Sequence, residues 1–452
     1  MSFYTRFVSS CIFPLHEALK KHTTVAVRQK MERDQWLPMA QIEHQQGERL
    51  RYFLQDINEY VPYYRKMFEA AGFDPKCVQN KADLAVLPLL DKSLIREHFD
   101  QLKATNANSL QRFNTGGSSG EPLIFLLGSE RVSHDVAAKW RATRWWDVDI
   151  GDPELVIWGS PIELGAQDRV RLLRDRLLRT ELLSAFDLSD EKIDKHLQVI
   201  RQRRPAMLFG YPSAIGVLAE SALKKGLNMD DLGIRVVFVT SERLYDYQRE
   251  VIERCFGCPV ANGYGGRDAG FIAHQCPQGQ LHITADDIVL EIVDPEGRML
   301  PAGEQGEIVV THMATRDFPF VRYRTGDIGV LSPDACSCGR GLPVLASVEG
   351  RSTDFVVAEN GALVHGLALI YILRDMPEVD RFKIIQESLQ KTVVQLVPNT
   401  GFDERCREQV ATAFRQRLGA GVDVTIEEVD DIAAEASGKF RYVISRVERP
   451  GA

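Results

Sequence analysis

The sequence predicts an α/β protein: a large N-terminal domain with parallel α/β subdomains and a β-subdomain, then a small, mobile C-terminal α+β domain. Three observations carry this. Short apolar runs alternate with helical stretches after residue 150, hairpin patterns replace them from Leu281, and 452 residues exceed one ordinary core. Residues 40 to 75 read as helix, with Gln41, Leu50, Phe53, Leu54 and Ile57 at helical spacing. Residues 155–158, 206–209 and 236–240 are apolar runs bounded by turns, as buried strands are. Between them, residues 189–201, with Ser189 as N-cap, and residues 214–225 read as crossover helices. Residues 288–293 and 306–311 flank the turn Asp294-Pro295-Glu296-Gly297 and read as antiparallel strands. Beyond Arg351, residues 382–386, 392–397 and 422–429 read as strands and 404–418 as an amphipathic helix. The boundary falls near Gly350 to Asp354, giving domains 1–350 and 351–452.

Composition narrows the partners. A net charge of −8, without a long Lys/Arg block, argues against nucleic acid. No apolar run reaches the length of a membrane span, and the N-terminus lacks the pattern of a signal peptide. Phe3, Tyr4, Phe7, Val8, Ile12 and Phe13 could form one apolar face; with slight charge flanking, it reads as a helix packed on its own domain rather than a membrane contact. Eight cysteines without a secretion signal indicate a reducing compartment, and a cytoplasmic protein is expected, as monomer or homodimer.

The chemistry-bearing segments begin with Asn114-Thr115-Gly116-Gly117-Ser118-Ser119-Gly120-Glu121-Pro122, whose glycines turn backbone N–H groups inward and whose hydroxyls add donors for phosphate oxygens. It matches neither G-x-x-x-x-G-K-[ST] nor G-x-G-x-x-G. Asn262-Gly263-Tyr264-Gly265-Gly266-Arg267-Asp268, Tyr323-Arg324-Thr325-Gly326-Asp327, Gly350-Arg351-Ser352-Thr353-Asp354 and Ser437-Gly438-Lys439-Phe440-Arg441 follow in that order. Each alone is weak: Gly-Tyr-Gly-Gly suits a turn, and Arg324 with Asp327 suits a surface ion pair.

Together these ordered segments resemble the core motifs of the adenylate-forming acyl-CoA synthetase superfamily, most closely the phenylacetate-CoA ligase branch and its CapK-like capsular-polysaccharide subgroup. Pro14-Leu15-His16-Glu17, Gln35-Trp36 and Val61-Pro62-Tyr63-Tyr64-Arg65 extend the likeness to nearly the whole chain. The resemblance implies that ATP and a small carboxylic acid form an acyl adenylate in the N-terminal domain, followed by transfer to coenzyme A. Another acceptor (carrier protein, amine or sugar group) and a degenerate non-catalytic homologue are the alternatives. It further implies that Thr115, Gly116, Gly117, Ser118, Ser119 and Gly120 clamp the β- and γ-phosphates, and that Asp268 binds Mg²⁺. It implies too that Tyr264 and Gly265 border adenine and the acyl pocket, that Asp327 binds the ribose hydroxyls, that Arg351 partners the ribose or phosphate side near the hinge, and that Lys439, on the mobile domain, reaches the α-phosphate and the attacking carboxylate. Glu121 stands where the family often has Lys or Arg, Asp268 where it has Glu, and Thr353 where it has Asp. Trp140, Trp145, Trp158, Tyr211, Phe238 and Tyr264 suit an aryl or medium-sized acid as well as they suit a core.

Cys276, His282, Cys336 and Cys338 separately form a candidate structural zinc set, with His274 as competitor; the adenylating chemistry needs no zinc. Three other patterns are set aside. Cys255 and Cys258 read as buried cysteines where a helix runs into a strand. His16-Glu17 with His22 lacks zinc-protease spacing, and Ser133-His134-Asp135 cannot converge because consecutive side chains diverge.

Overall fold

The computed structural model describes every residue except 1, 115–122, 159–168, 186–189, 352–354, 362, 433–440 and 448–452. It divides into two compact units, Met1–Glu349 and Gly350–Ala452.

Unit one begins with helices. The segment read as one helix over 40–75 is two, Met39–Tyr60 and Pro62–Ala71. Pro62 is the cause: its ring disfavours the helical region for Val61, which sits at φ −110°, ψ 107° and starts the second helix instead. A small hairpin follows, β1 (Gln111–Asn114) with β2 (Ile124–Leu127), antiparallel. The main strands are β3 (Glu154–Trp158), β4 (Thr180–Ser184), β5 (Met207–Gly210), β6 (Val236–Thr240), β7 (Val260–Gly266), β8 (Gly270–Gln275), β9 (Leu281–Ile283), β10 (Ile288–Val293), β11 (Gln305–His312), β12 (Tyr323–Leu331) and β13 (Val344–Arg351).

Among the described residues these form a single sheet ordered β10-β11-β12-β13-β9-β8-β7-β6-β5-β3-β4. The α/β and β portions are thus two regions of one sheet. From β4 to β7 neighbours are parallel, and β5 and β6 are buried at every residue, as strands with both faces covered must be. Helices Asp190–Arg203 and Pro212–Lys224 form two of the crossovers; Ser189 lies outside the described residues. From β7 onward the pairs that carry a register are antiparallel. One apolar cluster, including Leu50, Leu54, Phe68, Ile292 and Val310, packs the N-terminal helices on this half, and a second, including Leu155, Leu208, Ile215 and Val237, fills the parallel half.

Strand order reverses between β3 and β5, the kind of switch point at whose carboxyl edge open α/β sheets place a ligand crevice. Trp158 ends β3, Tyr211 follows β5, and their rings stack with centroids 4.2 Å apart at that point.

Unit two has a hairpin, β14 (Phe355–Val357) with β15 (Leu363–His365), and the strands β16 (Val379–Ser388), β17 (Lys391–Pro398), β18 (Asp423–Glu428) and β19 (Val443–Ser445). The order is β18-β17-β16-β19, antiparallel only at β16–β17. Helix Glu404–Leu418 covers it, with Asp403 accepting from the Cys406 N–H as N-cap. β19 has no forewarning in the sequence: three residues show no period.

Candidate active site

Two of the singled-out segments meet along the sheet. β7 runs into the turn Arg267–Ala269, which holds Asp268 before β8, while β12 carries Tyr323 at its first residue and Asp327 near its middle. The Tyr323 hydroxyl donates to Asp268 Oδ2 at 2.7 Å, and the Tyr264 hydroxyl donates to Asp327 Oδ2 at 2.8 Å. Each segment therefore supplies a tyrosine to the other's carboxylate. Gly-Tyr-Gly-Gly is the end of a strand with a bulge between Tyr264 and Gly265. A Cβ on Gly265 would lie 2.2 Å from the Gly270 carbonyl, so only glycine lets the two strands approach. Arg324 pairs with Glu307 at 2.5 Å, which leaves Asp327 to Tyr264 and sets aside an Arg324–Asp327 pair.

Tyr323 stands in one of the singled-out segments but is given no role by the sequence reading, which also misses the groups that hold both segments. Arg322 has φ 51°, uncommon for a side chain of this size, and is 2% exposed. Its guanidinium reaches buried Glu291 through Nε at 3.1 Å and Nη2 at 3.0 Å, and donates to the carbonyls of Leu87 at 2.6 Å and Gly297 at 3.0 Å. A buried cation so fully satisfied fixes where β12 begins, hence where Tyr323 points. On the other segment Arg131, buried on helix Ser129–Arg144, donates from Nη2 to the Arg267 carbonyl at 3.3 Å and from Nε to Asp135 at 2.8 Å. Arg131 thus braces the peptide next to Asp268. His312 stands behind it, 3.7 Å from Asp135, its Nδ1 accepting the Ala314 N–H. Burial, then the Arg131 charge, push His312 down to about 4. His134 turns away to Asp287 at 2.7 Å, so adjacent His134 and Asp135 serve different partners.

Trp140 belongs to a cluster with Val8, Phe13 and Ile150, and Trp145 donates to Gln35 at 2.8 Å and lies edge-on to His282. Trp145 also packs on the cluster of Phe209 and Phe238, as Trp158 does, while Trp158, Tyr211, Phe209 and Phe238 stack in a row. Thr115, Gly116, Gly117, Ser118, Ser119, Gly120 and Glu121 lie outside the described residues, as do Thr353 and Lys439; Arg351 ends β13. Before it, Glu349 accepts from Arg243 through its carbonyl at 2.6 Å and its carboxylate at 3.3 Å.

The four candidate zinc ligands converge at the far end of β8 and β9, their donor atoms all within 4.8 Å of one another. Cys276 Sγ and Cys336 Sγ are 3.7 Å apart, too far for a disulfide and close to the roughly 3.8 Å edge of a tetrahedron with 2.3 Å metal–sulfur bonds. Cys338 Sγ and His282 Nε2 are 3.2 Å apart. His282 Nδ1 faces the Leu342 carbonyl at 3.3 Å, which can only accept, so Nδ1 carries the proton and Nε2 presents a lone pair. His274 is not in this group. Burial pushes the Cys255 and Cys258 thiols up to about 12; Cys255 lies in the last turn of helix Asp246–Phe256 and Cys258 between that helix and β7, as ordinary core groups.

Residues 183–315 match the AMP-binding enzyme family and residues 356–446 the CapK C-terminal domain. The chain thus carries a stretch similar to AMP-binding enzymes and a second similar to the CapK C-terminal domain. A phenylacetate-coenzyme A ligase of Thermus thermophilus is 24% identical, covering 90% of this chain and 97% of that protein. Protein CapK of Staphylococcus aureus is 23% identical over 89% of each. Both are similar to this chain over most of its length, at less than 30% identity. A 2-hydroxyisobutyryl-CoA ligase in the postadenylation state shares the fold, with a TM-score of 0.72, 21% identity and 91% of each chain covered.

Proposed function

We propose that this chain is an ATP-dependent, AMP-forming acid–thiol ligase. The crossed Tyr323–Asp268 and Tyr264–Asp327 pairs carry the reading: they join two carboxylates of the superfamily's motifs near the carboxyl edge of the parallel strands. A carboxylate oxygen of the substrate attacks the α-phosphorus of ATP and pyrophosphate departs. The thiol sulfur of coenzyme A then attacks the acyl carbon, losing its proton, and AMP leaves. Asp268, whose Oδ2 accepts from Tyr323 and Oδ1 from the Ala269 N–H, would hold Mg²⁺ with its remaining lone pairs, and the ion would screen the phosphate charge. Asp327 accepts from ribose hydroxyls beside Tyr264. Residues 115–120 clamp phosphates and Lys439, carried by a C-terminal domain that rotates between the two steps, reaches the α-phosphate. Arg351 serves the hinge side. The stacked Trp158 and Tyr211 at the switch point, with relatives that are phenylacetate-CoA ligases, favour an aryl acid.

The CapK likeness favours a second acceptor, a sugar-linked group of polysaccharide assembly, with Thr353 altering the rotation that thiol transfer needs. Pyrophosphate release across a panel of carboxylic acids, with and without coenzyme A, tests both readings: release for no acid would overturn adenylation, and release unaffected by coenzyme A, with no thioester formed, would favour the other acceptor.

Cys276, His282, Cys336 and Cys338 fit one structural Zn²⁺ in donor type, spacing and tautomer. It would staple the β8–β9 turn to the β12–β13 loop and take no part in the reaction. All eight cysteines are free, which suits the cytoplasm, and no described helix is long and apolar enough to cross a membrane.

A further inference from the structure

The N-terminal segment does not pack as a whole. It runs as helix Phe3–Phe7, a π turn Val8–Ile12 and helix Phe13–Leu19. Val8 and Phe13 are buried against Trp140 and Ile150, as the sequence leads one to expect. The opposite side is left bare: Phe3 is 89% exposed, Phe7 48%, Leu15 63% and Leu19 78%. Positions four apart drift by about 40° on an α-helix, and the wider π turn between them takes back part of that drift, keeping the stripe together.

A second helix joins this stripe from far along the chain. Helix Arg169–Leu178 lies beside it: the Tyr4 hydroxyl donates to the Leu177 carbonyl at 2.9 Å, the Arg179 guanidinium stands 4.8 Å over the Tyr4 ring, and Leu178 packs on the Val8 cluster. It adds Leu173 and Leu177, 61% and 40% exposed. Of eleven large apolar side chains exposed among the described residues, seven are on these two elements, Tyr4 included. Single exposed leucines need no explanation, but this concentration does.

The charge around it reverses the sign of the whole chain. Arg6, Lys20, Lys21, Arg176 and Arg179 are exposed here, while Glu17 is buried and Asp175 is tied to Arg174. At physiological salt the Debye length is about 8 Å, so a surface that touches this face meets its cations rather than the net charge of −8. Apolar side chains framed by Lys and Arg fit the interface of an anionic bilayer, where acyl chains take the first and headgroup phosphates the second. The slight flanking seen in residues 3–15 alone becomes substantial because the fold brings Arg176 and Arg179 alongside.

We propose that the face formed by Phe3–Leu19 and Arg169–Leu178 docks this protein reversibly on anionic membrane surfaces, independently of the reaction it performs. The test is flotation of the full-length protein with phosphatidylcholine vesicles, with and without roughly 30% phosphatidylglycerol, at low and high salt. Binding is expected only with the anionic lipid and weakened by salt. Phe7→Ser/Leu19→Ser should lower the bound fraction at least tenfold, and Lys20→Glu/Arg176→Glu should remove the preference for phosphatidylglycerol, with the melting temperature unchanged in both. Absence of anionic-dependent flotation would overturn the proposal, as would equal flotation by the variants. A dimer in sedimentation equilibrium that Phe7→Ser/Leu19→Ser dissolves, without any flotation, would assign the face to a second copy instead.

Discussion

Tyr323→Phe isolates the crossed tyrosine–aspartate arrangement, because it deletes one hydroxyl and leaves a ring that is fully buried in place. The lost contact is a 2.7 Å hydrogen bond to a carboxylate, of the kind worth about 1.5–3 kcal/mol. Asp268 is only partly buried, so water can replace the donor, and the lower end applies: about 1.5 kcal/mol, or roughly tenfold in kcat/KM. If Asp268 holds the metal, the loss should appear as a raised Mg²⁺ requirement in pyrophosphate release with the best acid of the panel. Tyr264→Phe should act elsewhere, raising KM for ATP several-fold at little change in Mg²⁺ dependence, since its partner Asp327 is assigned to ribose. Titrating Mg²⁺ and ATP separately for both variants reads this difference. Identical shifts in the two titrations would refute the separate roles, and a Tyr323→Phe enzyme with unchanged Mg²⁺ dependence would remove Asp268 from the metal.

Other outcomes follow from the same groups. Lys439→Ala should abolish adenylate formation, at least the hundredfold typical of one electrostatic donor, without lowering the melting temperature; normal pyrophosphate release would remove Lys439 from the mechanism. Purified protein should carry about one equivalent of zinc by elemental analysis, with Cys336→Ser losing both metal and several degrees of melting temperature; metal-free protein of unchanged stability would leave four core side chains. Burial pushes His274 down to about 3 and His312 to about 4, both below the unfolded value near 6.5. The unfolded chain then binds more protons below that value, so stability present at pH 7 is lost as pH falls from about 6.5 toward 3, at a ceiling of about 2 kcal/mol per histidine by pH 5. His312→Gln should flatten the pH dependence of urea unfolding in that window; an unchanged profile would contradict the assignment. Thr353→Pro should spare adenylation and slow thioester formation in single-turnover assays, and equal slowing of both steps would sink the hinge reading.

Strands and helices with a clear period were legible in the sequence. Residues 404–418 are a helix over that same span, and the apolar runs at 155–158 and 236–240 are β3 and β6. The break at Val61 was written in Pro62, but the apolar spacing on either side masked it. Asp268 and Asp327 could be singled out because their segments follow a known order, yet nothing local says that each receives a hydroxyl from the other's strand. That contact depends on where β12 lies relative to β7, a matter of sheet order that no window of sequence contains. Arg131, Arg322 and His312 were invisible for a related reason: an arginine reads as surface until its buried partner, here Glu291 for Arg322, is known. The zinc candidates were legible by residue type alone, and folding decided which histidine joined them.

β13 is held at both ends. The Cys336–Cys338 loop and the pairing of Val344 with His282 secure its beginning, and Arg243 grips the carbonyl and carboxylate of Glu349 near its end. A strand clamped in this way behaves as a fixed mounting rather than a spring. The turning that the proposed two-step reaction requires would then be taken up in the backbone torsions past Glu349 rather than along β13. Releasing the mounting, by Arg243→Ala, would free that end of β13 while Tyr264 and Asp327 keep their contact.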